Sequence, residues 1–135
     1  MAVLPSGNVM VINGPVIAAG ESVSDAIDVT MGRIVRITMP ADWLNAPLTF
    51  QVSSDGAFFN DLFDSSGHEV TFIVQPGVGV VVLSENSVSF GFVKFRSGTR
   101  ESPVPQPAQR EFAVAVLDYR VPTIETFSIP IKLVP

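Results

Sequence analysis

The chain has 135 residues, a formal net charge of −5 and a pI near 4.6. Charged residues make up 16%, hydrophobic residues 47%, and mean hydropathy is +0.41; this excludes a disordered chain and speaks against nucleic-acid binding by counterion release. Cysteine is absent, which removes disulfides, thiolate metal sites and cysteine nucleophiles together.

A chain of this length supports one domain with its own core. Met1 to Gly7 place no Lys or Arg ahead of their apolar residues, so no secretory leader is expected. The most apolar stretch, Val78 to Leu83, is far shorter than the ~20 residues that span a bilayer. A soluble protein is the expectation.

Residues 1–14 read as an N-terminal arm containing the apolar run Val9 to Ile12, and Asn13-Gly14-Pro15 ends that run. Residues 15–118 read as the folded domain. Val16 to Ala19, Val23 to Val29 and Arg33 to Met39 have strand composition, the last being stopped by Pro40. Leu48, Phe50 and Val52 alternate with Thr49, Gln51 and Ser53, a strand with one buried face that runs into the turn signal Asp55-Gly56. Asp61 to Asp64 fits a turn of helix, and Ser65-Ser66-Gly67 fits a turn. Val70, Phe72 and Val74 alternate with Thr71, Ile73 and Gln75, giving a strand apolar on both faces. Pro76-Gly77 turns the chain into Val78 to Leu83. Phe90 and Phe92 share a face with Lys94 and Arg96, opposite Val93 and Phe95. Phe112, Val114 and Val116 oppose Ala113, Ala115 and Leu117. These are about eight short strands spaced by turn signals, the pattern of an all-β domain: a jelly-roll-like β-sandwich of antiparallel strands first, an immunoglobulin-like or galactose-binding-like sandwich second.

Two segments differ from ordinary loops. Pro103, Pro105 and Pro107 stand at alternate positions, and proline cannot donate to a ladder, so this stretch is a stiff connection or an exposed edge. Residues 119–135 read as a C-terminal arm, where Phe127, Ile129, Ile131 and Leu133 share a face opposite Ser128, Pro130 and Lys132. Such a face needs a surface to cover it, on a neighbouring subunit or on its own domain.

The chemical groups are sparse. His68 is the single histidine, and no second one completes a metal triad; the hydrolase pattern Gly-x-Ser-x-Gly is missing. Asp55, Asp61, Asp64 and Glu69 suit glycoside cleavage or calcium by type, but they flank turns, where acids cap backbone groups. Trp43, Phe58 and Phe59 with Asp55 suit a sugar platform, although a lone Trp in a small β-domain is most often core. Gly77-Val78-Gly79 has no helix after it and is no dinucleotide fingerprint. Arg96, Arg100 and Arg110 surround the prolines and suit ion pairing across an interface or a solvated strand end. No enzymatic activity, cofactor or metal is expected.

Ala41-Asp42-Trp43-Leu44-Asn45-Ala46-Pro47-Leu48-Thr49-Phe50-Gln51-Val52-Ser53-Ser54-Asp55-Gly56 resembles a segment of small structural proteins of tailed bacteriophages. So does Phe92-Val93-Lys94-Phe95-Arg96-Ser97-Gly98-Thr99 with the Pro/Gln-rich stretch after it, and the resemblance spans roughly residues 35–117. The piece Thr49 to Gly56 is also similar to galactose-binding-like and discoidin-type sandwiches. The phage resemblance implies a capsid cement or decoration protein on the virion surface, partnered by the major capsid protein and by itself as a homodimer or homotrimer, without nucleic acid or membrane. Arg96, Arg100, Pro103, Pro105, Pro107, Phe127, Ile129, Ile131 and Leu133 are the expected contacts. The alternative is a carbohydrate-binding module of a head fibre or tail, using Trp43, Asp55, Phe58 and Phe59.

Overall fold

Period-two alternation builds the centre of the molecule. In the computed structural model, which describes residues 9–118, strand β4 (Leu48–Ser53) turns Leu48 and Phe50 into a core between two sheets. The other strands are β1 (Val9–Ile17), β2 (Val23–Asp28), β3 (Gly32–Thr38), β5 (Asn60–Asp61), β6 (Gly79–Val81), β7 (Phe92–Ser97) and β8 (Arg110–Asp118). A one-turn helix, α1 (Ser84–Ser87), links β6 to β7. The chain is an all-β sandwich: one antiparallel sheet has the order β1-β8-β3-β6, the other β2-β7-β4-β5.

The pairing follows a simple rule. β1 pairs with β8, β2 with β7, β3 with β6 and β4 with β5. This is the connectivity of one long antiparallel ribbon, folded at its middle and rolled so that its rungs fall alternately into two sheets. Rolling adds the lateral pairs β3·β8 and β4·β7, which complete each sheet.

Aromatic rings join the layers. Phe50 and Phe95 from one sheet meet edge to face with centroids 5.5 Å apart, and Phe95 meets Phe112 of the other sheet at 5.1 Å. Phe90 and Phe72 pack on Phe50 at 5.1 and 4.8 Å. Ile17, Ile34, Ile37 and Val114 fill the opposite side. Each such side chain contributes about 1.5–3 kcal/mol by leaving water, and the edge-to-face geometry adds to it.

The expected elements are corrected at four places. Residues 9–14 belong to β1 rather than to an arm: Val9 pairs with Leu117 and Asn13 with Ala113. Asn13-Gly14-Pro15 does not end the strand but sits at a register shift between Asn13 and Val16, where a residue without an N–H costs no ladder bond. The Val16 N–H donates to Asp25 Oδ1 at 2.8 Å. Asp61 starts no helix; it belongs to β5, opposite Gln51. Residues 70–75 keep their alternation, with Val74 buried and Ile73 86% exposed, but form only a bridge from Phe72 to Leu48, because they cross from one sheet's edge to the other's. Phe90 does not share a face with Phe92: it lies in the core, since Gly91 (φ +56°) breaks the alternation. A side chain at Gly91 would meet the Ser53 carbonyl oxygen at 2.7 Å.

Candidate interaction surface

The outer face of sheet β2-β7-β4-β5 carries a buried ion cluster. Arg96, on β7, lies across Thr49 of β4 and donates Nε to Thr49 Oγ1 at 3.0 Å. Its Nη1 donates to Asp61 Oδ1 at 2.7 Å and its Nη2 to Glu69 Oε2. Thr49 Oγ1 donates in turn to the Gly98 carbonyl at 2.7 Å. Arg100 adds Nε to Asp61 Oδ2 at 3.0 Å and stands 5.9 Å from the Phe63 ring. Partial burial would raise the Asp61 carboxyl, but hydrogen bonds from Arg96 and Gln51 and both guanidinium charges outweigh it and hold the group below the usual carboxylate range. Arg96 is therefore not an exposed contact: it is buried and spent on tying the Asn60–Glu69 segment to β4 and β7. Arg100 is half exposed and could meet a partner only while sharing Asp61.

The proline stretch is a strap. Pro103, Pro105 and Pro107 face solvent, and between them Val104 and Gln106 turn inward. Gln106 is fully buried and uses its whole amide. Its Oε1 accepts from Leu44 N at 3.0 Å and Arg110 Nε at 2.9 Å; its Nε2 donates to the Leu44 carbonyl at 3.0 Å and to Ser97 Oγ at 2.8 Å. Arg110 is buried behind it and pairs with Asp42 at 2.7 Å. The only local signal for Gln106 is its place between two prolines, a position that fixes the backbone and leaves one inward side chain.

Three exposed aliphatic side chains lie where the two sheets part. β6 is an edge strand of its sheet, and residues 69–73 run along the neighbouring edge of the other. Between them is a groove of about 490 Å³ lined by Ile73, Val81 and Leu83 and by the acidic residues Asp64, Glu69 and Glu85. Ile73 is 86% exposed, Val81 72% and Leu83 57%. At the other end of the sandwich, Val9, Met10, Val11 and Met31 are also exposed, beside the point where the chain enters and leaves the described body through the Val9–Leu117 pair.

No protein family, curated protein or solved structure matches this chain.

The remaining candidates divide. Trp43 is in the core, 4% exposed, edge-on to Phe112 at 5.6 Å, with Nε1 donating to the Ala46 carbonyl at 3.1 Å; it is no sugar platform. Phe58 is 82% exposed, and Phe59 carries the Lys94 ammonium 4.4 Å above its ring. The acids do not converge as a group. Asp55 and Asp64 cap their own turns, and hydrogen bonds from Ala57 N and Phe58 N to Asp55, and from Ser66 and His68 N to Asp64, hold both carboxyls low. His68 is exposed in the Asp64 turn, its Nδ1 3.2 Å from Ser66 Oγ. Phe127, Ile129, Ile131 and Leu133 lie outside the described residues.

Proposed function

We propose that the chain is a structural virion protein, a cement or decoration protein that sits on the outside of a tailed-phage capsid and clamps adjacent copies of the major capsid protein. The groove at the β6 edge carries this reading: it joins a strand edge able to accept another strand to three exposed aliphatic side chains, with acidic residues around them. The rolled-ribbon pairing supports a jelly roll as the underlying fold. The phage-like stretches Ala41 to Gly56 and Phe92 to Thr99 support the virion assignment.

Energetics favour an array over a tight single contact. Burying Ile73, Val81 and Leu83 contributes roughly 4–8 kcal/mol at most. Association costs about 4–15 kcal/mol in lost freedom, so one such site binds weakly. A homodimer or homotrimer on a symmetric shell multiplies the sites, and effective concentration supplies the missing affinity. The exposed Pro103, Pro105 and Pro107, the half-exposed Arg100 and the apolar face Phe127–Leu133 extend the contact, the last by laying residues 119–135 on a neighbour.

The test is co-sedimentation with capsids assembled without the protein. Ile73→Glu with Val81→Glu should leave the melting temperature within a few degrees and abolish decoration. Deletion of residues 121–135 should weaken it. Undiminished binding by both variants would reject the groove and the arm together, and a particle without this chain on its shell in electron micrographs would reject the virion role.

A further inference from the structure

The turn after β4 is built to hold an aromatic ring in water. Ser53 Oγ accepts from Gly56 N at 2.8 Å and Asp55 N at 3.2 Å, and donates to Asp55 Oδ1 at 2.9 Å. Asp55 Oδ1 also accepts from Ala57 N at 2.8 Å and Phe58 N at 3.1 Å. Gly56 takes φ +80° and lies against the Phe92 ring, where a side chain would sit 3.3 Å from it. These bonds fix the backbone leading into Phe58 up to its own N–H, yet its ring gains nothing from the fold: it is 82% exposed. A scattered exposed apolar residue needs no explanation, but a ring held by a five-bond turn beside a cleft does.

The cleft is about 350 Å³ and lies between the turn and the residue following α1 and Val88. Val52 gives it an apolar floor, Phe58 an aromatic wall, and Ser54, Asp55, Asn60 and Ser89 a polar rim. Among the described residues no cationic side chain lines it, which disfavours an anionic ligand. Asp55 uses Oδ1 on the turn and leaves Oδ2 without a partner among the described residues. The lining thus combines one flat apolar face with neutral donors and acceptors and a single carboxylate acceptor.

We propose that this cleft binds a neutral saccharide. The C–H face of the sugar ring stacks on Phe58, and its hydroxyls pair with Asp55 Oδ2, Asn60 and the hydroxyls of Ser54 and Ser89. Trp43 takes no part, and Asn60 and Ser89 join Phe58 and Asp55. The site lies apart from the β6 groove in its lining residues, so it stands or falls independently of capsid docking.

Saturation-transfer NMR on the full chain with methyl galactosides, methyl glucosides and N-acetylhexosamines, alongside an array of neutral and sialylated glycans, tests this. Saturation should reach the ring C–H protons of at least one neutral sugar. Phe58→Ala should weaken binding about tenfold or more with an unchanged melting temperature, Phe58→Trp should retain it, and Asn60→Ala should weaken it. Absence of binding at millimolar neutral sugar overturns the proposal. So do binding indifferent to Phe58→Ala and Asn60→Ala, preference for sialylated glycans alone, and a Phe58→Ala variant that loses capsid attachment while the parent binds no sugar.

Discussion

Arg96→Met removes the cation from a cluster in which two carboxylates share one guanidinium. Removing one partner of a buried ion pair costs about 3–5 kcal/mol, because the remaining charge is left desolvated. Here the side chains of Asp61 and Glu69 are only 23% and 12% exposed, but Arg100 stays within 3.0 Å of Asp61 and compensates in part. The expected loss is therefore at the lower end, about 3 kcal/mol at pH 7, or roughly 10 °C in melting temperature for a domain of this size. Urea denaturation followed by the fluorescence of the buried Trp43 measures it. The triple variant Arg96→Met, Asp61→Asn, Glu69→Gln should recover most of the loss, since no unpaired charge remains. Acidification should narrow the gap between parent and Arg96→Met, as the orphaned carboxylates take up protons. A loss below about 1 kcal/mol, or a triple variant no better than the single, would refute the assignment of Arg96 to the cluster's centre.

Gln106→Leu strips the inward side of the proline strap of four hydrogen bonds and leaves Ser97 and Arg110 with buried unmet groups, a loss of about 2–4 kcal/mol by urea midpoint. Hydrogen bonding lowers the carboxyls of Asp28, Asp55 and Asp64, and Arg96 with Arg100 lowers Asp61, all relative to the unfolded chain. Stability from these groups is complete above their unfolded value near 4 and is lost as pH falls through the lower folded values, so urea midpoints measured from pH 7 to 2 should stay level to about pH 5 and then fall, less steeply in Asp61→Asn.

Much of the sandwich was legible because its strands obey local rules. Leu48 and Phe50, or Phe112, Val114 and Val116, announce a buried face by alternation alone. Asp55-Gly56 and Pro76-Gly77 announce turns by backbone permissiveness. Three things were hidden for physical reasons. Residues 9–14 carry apolar and polar residues without a clean face because β1 is an edge strand with exposed Val9, Met10 and Val11. Arg96 looked like a surface charge because its two acids are remote in sequence, Asp61 on β5 and Glu69 beyond it, and no local pattern joins positions 61, 69 and 96. The cleft beside Phe58 draws Ser89 from beyond α1, so sequence showed the ring and the carboxylate but not the rim.

The way the ribbon is rolled also orders events at synthesis. The fold of the ribbon, where Gln51 faces Asp61, can close as soon as that hairpin has left the ribosome. The Val9–Leu117 rung closes after the inner rungs, because Leu117 leaves the ribosome long after Val9. Until then β3 lacks its neighbour β8, and the strip holding Ile34 and Ile37 stays open to water. Contacts between such remote positions put folding in the slow regime of about milliseconds to seconds. A nascent chain with this open flank is best kept from its siblings, and assembly into any larger structure has to wait for β8.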